Sequence, residues 1–439
     1  EIIAKHFIPS KTQRDKNAEI PTSEKCVNEM LDKMPSSFWN KKRYIFEPCC
    51  GKGNFVLAIF EKMFNGLTTI TDEIERIRVI LEDCLYFTDI DEVNVFITKE
   101  LLICHAISKL GEEAWRDWDK IIEIYNYEIR GYVCNTLEYD PQIKFDAIIG
   151  NPPYQERNKN GKSKHGKSNL WTKFIDYSFD LLKKNGYLLF ITPTSWMGGT
   201  VTCWDKMIKH QIHYLDINNC KKYFPGVGST FSYYLIENVD IYQETKVVCN
   251  YNKKVYTSSL LLNKELKMIP QLLTNDSLSI INKAFNWSNN KLFIRKDMIK
   301  DDNPSQKEKT ETHKHPVITF VRTDKTKDIQ YLNYKLPTEE DKKVLLFRSG
   351  YINPTFIDGL AGVGNNIHYL IVKTEEEGLN VEKLYRSDLY RFIFSICATS
   401  QYNNGRVMNW LHRENPTYDN IYEYFKLSNR EKELVISNV

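Results

Sequence analysis

The amino-acid sequence predicts an α/β fold, followed by a second region of mixed α+β character. Short apolar runs alternate with helical segments as far as residue 245, which is the pattern of a mostly parallel, doubly wound sheet. A glycine turn directly follows the first apolar run, as in sheets that bind a ligand at the carboxyl ends of their strands. The chain after residue 245 shows no second turn of this kind. The sequence therefore divides into residues 1–245 and residues 246–439.

Composition limits the class of protein. The 439 residues suffice for two or three domains, and a hydrophobic content of 42% is ample for buried cores. The net charge is only +3, so a nucleic-acid-binding surface would have to come from local clusters of cations. Ten cysteines occur without a Cys-x-x-Cys pair, which predicts reduced thiols, a cytoplasmic location and no metal site. No apolar run is long enough for a membrane span, and no secretory signal opens the chain.

The first elements are a helix and a strand that leads into the glycine turn. The helix is expected within residues 20–34, with Thr22 or Ser23 as its N-cap. Residues 46–55, FEPCCGKGNF, then have the character of a strand end, a turn and the start of a helix. Glycines in the turn allow a ligand to approach the backbone closely, and Glu47 suits a cationic ligand group better than a phosphate. The pattern fits neither a dinucleotide fingerprint nor a P-loop.

Polar residues end the next two predicted strands. Asp89 ends the second strand, where it could hydrogen-bond a ribose, whereas Asp91 could equally cap the following helix. Residues 92–130 are interpreted as a helical insertion without a chemical role. The third strand, at residues 132–134, is followed by Asn135.

The fourth strand, at residues 145–149, leads to the tetrapeptide Asn151-Pro152-Pro153-Tyr154. Two prolines lack N–H donors and hold the chain extended, so that carbonyl groups remain available as acceptors. The Asn151 side-chain oxygen and the Pro152 carbonyl can both accept hydrogen bonds from one amino group, while Tyr154 stacks on the ring that carries it. Taken alone, the string also fits an ordinary junction between a strand and a turn.

A basic loop follows the tetrapeptide. It contains five cations and no acid between residues 157 and 167, so we expect contacts with phosphates, with a plain solvated loop as the alternative. These cations are Arg157, Lys159, Lys162, Lys164 and Lys167.

The rest of the chain completes the sheet and forms the second region. A helix at residues 170–182 and strands at 187–191, 214–217 and 231–236 bring the sheet to its expected end near residue 245. In the second region, a charged linker at residues 300–316 precedes strand-like runs and two terminal helices. The runs are at residues 317–321 and 343–347, and the helices are around residues 384–398 and 418–435.

The order and spacing of these motifs resemble the TaqI-type γ-class N6-adenine DNA methyltransferases, which are methylases of type II restriction-modification systems. The resemblance covers about residues 20–240. It is carried by Pro21-Thr22, residues 46–55, residues 88–91, Asn135-Thr136-Leu137, Asn151 to Tyr154, residues 169–174 and Tyr223-Phe224-Pro225. Residues 347–354 are similar, more loosely, to target-recognition domains. The resemblance implies a Rossmann-like methyltransferase sheet and a C-terminal target-recognition domain.

S-adenosylmethionine is the cofactor that this resemblance implies, with no metal. Glu47, Pro48 and the turn with Gly51 and Gly53 would lie near its methionine moiety, and Thr22 would belong to the segment that closes over that end.

The nucleoside end of the cofactor would meet a second set of residues. Asp89 would bind the ribose hydroxyls, and Phe174 would line the adenine pocket. Asn135 stands where many relatives have Asp, but its carbonyl oxygen could still accept a hydrogen bond from the adenine amino group.

The implied substrate is an adenine flipped out of double-stranded DNA. Tyr154 and Phe224 would pack on its two faces, while Asn151 and Pro152 hold its amino group. We expect a monomer, and a separate cognate restriction endonuclease remains open as a partner.

Other substrates and roles also remain open. Enzymes with the same tetrapeptide act on RNA or on a protein glutamine, although those usually lack a large C-terminal region. Cytosine enzymes more often carry Ser at the position of Asn151. A non-catalytic DNA specificity subunit is the alternative from a different class.

Overall fold

The computed structural model describes residues 21–155, 169–288, 299, 304–322, 324–347, 354–365, 367–397, 404–411 and 417–439. The chain forms two compact units. The first extends to Asn250 and includes Thr257–Lys267, and the second comprises Tyr251–Tyr256 and Met268–Val439.

A nine-stranded sheet is the framework of the first unit. Its strands are β1 (Ile45–Glu47), β2 (Leu85–Asp89), β3 (Gly131–Val133), β4 (Phe145–Gly150), β5 (Leu182–Pro193), β6 (Gln211–Asp216), β7 (Phe231–Glu237), β8 (Glu244–Tyr251) and β9 (Lys254–Leu261). The strand order is β3-β2-β1-β4-β5-β7-β6-β8-β9. The neighbours from β3 to β5 pair in parallel, and β7 runs antiparallel to both β5 and β6. The α/β class with a mostly parallel sheet is therefore confirmed.

The sheet continues beyond the end expected from the sequence. The prediction that it stops near residue 245 was wrong, because β8 pairs in parallel with β6 and β9 follows as the next strand. In β8, Thr245, Val247 and Cys249 are buried while Glu244 and Lys246 are exposed. This alternation with a period of two residues is the signature of a strand with one buried face.

Helices connect the strands of the first unit. They are Glu24–Leu31, Asn54–Gly66, Glu73–Val79, Glu92–Lys109, Trp118–Tyr125, Leu170–Leu181 and Trp204–Lys209. The helix Glu92–Lys109 is the crossover between β2 and β3 and not an insertion, since Leu102, Ile103 and Ala106 on it are buried in the core. Because β1, β2 and β4 run in parallel, their carboxyl ends lie at one edge of the sheet.

The second unit contains two three-stranded sheets and several short helices. One sheet has the order β11-β10-β14 and the other β13-β12-β15. Their strands are β10 (His315–Val321), β11 (Lys327–Leu332), β12 (Lys342–Phe347), β13 (Thr355–Asp358), β14 (Gly362–Val363) and β15 (Ile367–Ile371). The helices are Asn275–Ala284, Glu375–Tyr385, Asp388–Cys397, Asn404–Trp410, Ile421–Tyr424 and Asn429–Ile436.

Of the two helices expected near the C-terminus, the first is present as Asp388–Cys397, and the second is divided into Ile421–Tyr424 and Asn429–Ile436. Ser387 directly precedes the first, and its hydroxyl accepts a hydrogen bond from the Tyr390 N–H group at 3.3 Å. Ser428 starts the last helix with a capping box that it shares with Glu431. Serine competes with the helix backbone for hydrogen bonds, so it starts a new helix at each of these points.

No helix among the described residues is long and apolar enough to cross a membrane. No disulfide joins any two cysteines in this part of the chain.

Candidate active site

Two glycines with left-handed backbone form the turn after β1. Gly51 has φ of 51° and Gly53 has φ of 89°, values that residues with a Cβ atom rarely adopt. A Cβ atom on Gly53 would lie 3.1 Å from the Thr98 side chain on the crossover helix. The Gly51 N–H group donates a hydrogen bond to the Asp89 carboxylate at 2.9 Å. The turn is thus fixed to the end of the neighbouring strand.

Pro48 connects the ends of three strands. Its carbonyl oxygen accepts hydrogen bonds from the hydroxyls of Thr88, at 3.0 Å, and Thr136, at 2.6 Å. Thr88 belongs to β2, and Thr136 lies just beyond β3. Because proline has no N–H group of its own, this carbonyl is the main-chain polar group through which Pro48 is held.

Glu47 is a fully buried acid at the end of β1. Its Oε1 atom accepts a hydrogen bond from the Cys49 N–H group at 3.2 Å, whereas no group among the described residues hydrogen-bonds to its buried Oε2 atom. Burial raises the pKa of Glu47 well above its ordinary value, and the charge of nearby Asp89 acts in the same direction. Such a carboxylate would be stabilised by a cationic ligand.

Gly150 is the residue that allows Glu47 to reach the tetrapeptide Asn151-Pro152-Pro153-Tyr154. A Cβ atom at position 150 would lie 2.2 Å from Oε1 of Glu47, which is closer than atoms can approach. The carboxylate therefore packs directly on the residue before Asn151. The sequence analysis missed this residue, although a glycine at the end of a buried strand is a signal of close approach by another group.

Asp89 and Asp91 have different partners. Asp89 accepts hydrogen bonds from the N–H groups of Gly51 and Asp91, each at 2.9 Å. Asp91 caps the crossover helix through the Val93 N–H group, also at 2.9 Å. Burial raises the pKa of Asp89, although its two main-chain hydrogen bonds act in the opposite direction. Between these acids, the Ile90 side chain is 74% exposed, which was not predicted from the sequence.

Asn135 and Phe174 lie on other elements of the first unit. Asn135 is exposed after β3, where its amide donates to Glu138 at 2.6 Å and accepts from the Leu137 N–H group at 3.4 Å. Its side chain is therefore a helix cap in this structure. Phe174 is 4% exposed on the helix Leu170–Leu181. The Cys134 N–H group, directly before Asn135, donates a hydrogen bond to the Asp89 carbonyl at 3.0 Å.

The tetrapeptide begins where β4 ends. Its Asn151 amide nitrogen donates a hydrogen bond to the Thr22 hydroxyl at 3.1 Å, and Pro152 is buried. The Tyr154 carbonyl accepts from the N–H group of Leu170, the first residue of the following helix, at 3.1 Å. Burial raises the pKa of Tyr154 well above its ordinary value, so its phenol stays neutral.

Thr22 joins the tetrapeptide to the glycine turn. Its carbonyl accepts a hydrogen bond at 2.8 Å from the side chain of Asn54, the residue after Gly53, while its hydroxyl contacts Asn151. Thr22 is buried, and it immediately precedes Ser23, the N-cap of the helix Glu24–Leu31. Three separate parts of the sequence therefore meet at this residue.

An aromatic group lies behind Tyr154. Phe231, the first residue of β7, contacts both Tyr154, with ring centroids 5.3 Å apart, and Phe224, at 5.0 Å. The sequence analysis named Tyr154 and Phe224 but missed Phe231. Phe224 is only 3% exposed, so its ring must leave this packing before it can contact a base.

Glu29 anchors the segment that carries Phe224. Its carboxylate accepts hydrogen bonds from the hydroxyls of Tyr223 and, at 2.8 Å, Tyr233, and Lys222 lies 3.3 Å away. Burial by itself would raise the pKa of Glu29, but these hydrogen bonds and the lysine lower it overall. Glu29 was also missed, since its partners are remote in sequence.

The basic loop lies outside the described residues, together with Arg157, Lys159, Lys162, Lys164 and Lys167. No group of three or more His, Cys, Asp or Glu side chains that could hold a metal ion occurs in the part of the chain that the structure describes.

Comparison with known proteins identifies relatives among methylases. Residues 83–224 match the family model of the Eco57I restriction-modification methylase. An uncharacterized adenine-specific methylase of Mycoplasma pneumoniae is 44% identical over 55 residues, which are 12% of this chain and 13% of that protein. The type II methyltransferase M.TthHB8I of Thermus thermophilus is 34% identical over an alignment of 85 residues that covers 15% of this chain and 20% of that protein. The chain therefore matches only a small part of each relative's length.

Solved structures extend the likeness in fold to the whole chain. The type IIL restriction-modification enzyme MmeI, in complex with DNA, has a TM-score of 0.52 at 12% identity, covering 100% of this chain and 79% of its own. A nuclease-deletion mutant of the type ISP restriction-modification enzyme LlaGI, bound to a DNA substrate mimic, also has a TM-score of 0.52, at 11% identity. That match covers 96% of this chain and 56% of the LlaGI chain. At these identities the similarity shows the fold alone.

Proposed function

Because residues 83–224 match the restriction-modification methylases, we propose that this chain is a site-specific DNA methyltransferase acting on the N6 amino group of adenine. The observation that supports the proposal best is the position of Asn151. It follows β4 directly at the edge of the sheet where Glu47 and the glycine turn also lie. A group that can hold an amino substrate thus stands beside a site suited to a cationic cofactor.

The buried acids support S-adenosylmethionine as that cofactor. Oε2 of Glu47 is buried without a hydrogen-bond donor among the described residues, and a ligand ammonium group would supply one. Gly51 and Gly53 leave room for the ligand beside the backbone. Asp89, at the end of β2, would bind the ribose, and exposed Ile90 would pack on the adenine. When bound, the cofactor supplies an electrophilic methyl group on a sulfonium.

Asn135, Phe174 and Pro48 belong to the same proposed cofactor site. The oxygen of Asn135 makes only a long 3.4 Å hydrogen bond and would be available to an adenine amino group. Phe174 would line the adenine pocket, and Pro48 holds the strand ends that form the site.

The tetrapeptide would hold the target base. Flipping an adenine from duplex DNA costs a few kcal/mol. Stacking on an aromatic ring such as Tyr154 returns about 1–3 kcal/mol per base. The Asn151 side-chain oxygen and the Pro152 carbonyl would accept the two amino hydrogens, which directs the nitrogen lone pair towards the methyl group. Phe224 would stack on the second face once it leaves Phe231.

The protonation chemistry needs no strong base in the protein. The amino nitrogen becomes acidic as it gains the methyl group, and water can take its proton. Tyr154 stays neutral because burial raises the pKa of its phenol, so it serves as a stacking surface and not as a base.

Double-stranded DNA is the polymer that we propose as substrate. The second unit would recognise the target sequence, and the cations between residues 157 and 167 would contact the phosphate backbone. We expect the chain to act as a monomer, alongside a separate cognate endonuclease where one is present.

Methyl transfer to unmethylated genomic DNA tests the proposal. Purified protein would be incubated with S-adenosylmethionine carrying a labelled methyl group, and the DNA would be hydrolysed and analysed for N6-methyladenine by mass spectrometry. Sequencing of DNA from expressing cells by a methylation-sensitive method would show whether modified adenines recur at one motif. RNA and a glutamine-containing protein extract serve as competing substrates. Label in either of these, with none in DNA, would refute the proposal.

Asn151→Ala is the decisive variant. We expect cofactor binding to persist and turnover to fall at least about a hundredfold, because a preorganised polar contact to the reacting group is lost. Asn65→Ala, on the helix Asn54–Gly66, is the matched control and should retain wild-type turnover. Near-normal methylation by Asn151→Ala would contradict the assignment.

A further inference from the structure

We propose that Thr22 is a positioning residue that holds the Asn151 side chain in place through its hydroxyl. This inference rests on the proposed function but assigns Thr22 a different role from cofactor contact. Its hydroxyl lies 3.1 Å from Nδ2 of Asn151, although the two residues are 129 positions apart in the sequence. The contact is therefore made by the fold and not by local geometry.

Orientation matters because an amide has two unlike ends. Oδ1 accepts hydrogen bonds, whereas Nδ2 donates them, so only Oδ1 can hold an amino group. In the structure the Thr22 hydroxyl accepts from Nδ2, which turns Oδ1 away from Thr22. A hydroxyl can also donate to Oδ1, so Thr22 fixes the place of the amide, and the substrate amino group, which only Oδ1 can accept, selects the end that faces it.

Thr22 can hold the amide in place because its own backbone is held. Its carbonyl accepts from the Asn54 side chain at 2.8 Å, and Asn54 is the first residue of the helix that begins after Gly53. The residue is buried, so water does not compete for its hydroxyl. One residue thus transmits the position of the glycine turn to the amide of Asn151.

The chemistry of the two contacts predicts a separation between binding and turnover. The contact with the glycine turn uses the Thr22 carbonyl, which every substitution at position 22 retains. The contact with Asn151 uses the hydroxyl, which valine lacks at nearly the same volume. Thr22→Val should therefore affect turnover far more than cofactor affinity, whereas Thr22→Ser should preserve both.

The test measures kcat on DNA and the cofactor dissociation constant for the wild type, Thr22→Val and Thr22→Ser. We expect Thr22→Val to lower kcat about tenfold, the effect of losing one hydrogen bond of ordinary strength, with the dissociation constant within about threefold of the wild-type value. Thr22→Ser should stay within about threefold of wild-type kcat. Thr245→Val is the matched control. Thr245 is also buried, and its hydroxyl donates a hydrogen bond to the main-chain carbonyl of Ile212, which is not part of the proposed site.

A double variant separates positioning from general loss of stability. If Thr22 acts through Asn151, adding Thr22→Val to Asn151→Ala should lower the residual rate no further. Multiplied losses in the double variant, full activity of Thr22→Val, or an equal loss in Thr22→Ser would each overturn the inference. Asn54→Ala provides a second approach, because it frees the Thr22 backbone and should also lower kcat.

The same data separate the inference from its premise. If the wild type transfers no methyl group to DNA, the proposed function fails and this inference fails with it. If the wild type is active and Asn151→Ala is not, while Thr22→Val keeps full kcat, then the inference alone fails.

Discussion

At the scale of single residues, the unusual group is the buried Glu47 carboxylate. Its pKa is raised well above the ordinary value by burial, with the charge of Asp89 acting in the same direction. A raised pKa means that the folded protein binds this proton more tightly than the unfolded chain does. Its contribution to stability is therefore complete below the unfolded pKa of ~4.3 and declines as pH rises towards the folded-state pKa.

Glu47→Gln should stabilise the cofactor-free protein at pH 8 and abolish its stabilisation by S-adenosylmethionine. Glutamine removes the buried charge, whose cost grows with pH, but it cannot pair with a ligand cation. We expect the free energy of unfolding of the variant to exceed that of the wild type at pH 8 and to approach it at pH 5. Denaturant titrations at both values, with and without cofactor, measure this difference.

Glu61→Gln is the control, because its expected effect on the free energy of unfolding at pH 8 has the opposite sign. Burial would raise the pKa of Glu61, but hydrogen bonds from Lys109 and its neighbours lower it overall. Glu61 therefore stabilises the folded protein above the unfolded pKa, and its replacement should lower stability at both pH 5 and pH 8. A loss of stability at pH 8 in Glu47→Gln, like that in Glu61→Gln, would contradict the account of Glu47.

At the scale of elements, the helix Glu24–Leu31 joins two parts of the proposed active site. The residue before its N-cap is Thr22, which contacts Asn151, and Glu29 on the helix holds Tyr223, the neighbour of Phe224. One short helix thus contacts both the amino-binding group and the segment with the second stacking ring. Its buried face, with Val27, Met30 and Leu31, fixes it to the core.

Glu29→Ala should loosen the segment that carries Phe224. It removes the acceptor of two tyrosine hydroxyls, and each group left without a partner costs about 1–3 kcal/mol when buried. We expect faster amide hydrogen exchange in the 3₁₀ helix Asn219–Tyr223, with little change in β1 and β2. Glu24→Ala, in the exposed first turn of the same helix, is the control. Equal exchange at residues 219–223 in both variants would show that Glu29 does not hold this segment.

The elements differ in how far sequence can predict them. The strands β1, β2 and β4 were predictable because each is a short apolar run that ends in a polar or glycine-rich turn. The strand β8 was missed because its alternating pattern includes Glu244 and Lys246, which are typical of a linker when considered alone. The division of the last predicted helix was missed because a single serine, Ser428, decides where the new helix begins.

The residues of the candidate site also differ in how far they could be predicted from the sequence. Glycines and acids at strand ends could be recognised as candidates, since the backbone itself demands those residue types. Two contacts could not be predicted from the sequence, because the residues they join are far apart in it. Thr22 and Asn151 are 129 positions apart, and Glu29 and Tyr233 are 204 positions apart. Such pairs depend on how the elements pack, which a single sequence does not encode in any local pattern. The burial of Phe224 against Phe231 depends on packing in the same way.

At the scale of the whole molecule, the proposed cofactor site belongs entirely to the first unit. Glu47, Asp89, Asn135 and Phe174 all precede Asn250. A ligand stabilises the structure that binds it in proportion to the logarithm of its concentration, by about 2.7 kcal/mol at a hundred times its dissociation constant. We therefore expect the ligand to stabilise the first unit, and to slow the exchange of those amides that exchange only when the first unit opens.

Hydrogen exchange with and without S-adenosylmethionine should show protection confined to the first unit. We expect slower exchange at the ends of β1 and β2 and in the glycine turn, because the bound ligand suppresses their opening. Amides of β10 and β12 in the second unit provide the internal reference and should not change. Equal protection in the two units would place the cofactor contacts outside the first unit alone.

Asp89 holds the glycine turn and would also bind the cofactor ribose, and these two roles bear on how related sequences would change in evolution. Its carboxylate accepts hydrogen bonds from the Gly51 and Asp91 N–H groups, so selection for folding would retain it even if the proposed activity were lost. The Asn151 side chain donates instead to the Thr22 hydroxyl, outside the strands of the sheet. Among descendants of this chain, we therefore expect copies without the proposed activity to keep the acid and the glycine turn while the tetrapeptide changes, which makes the tetrapeptide the better marker of that activity.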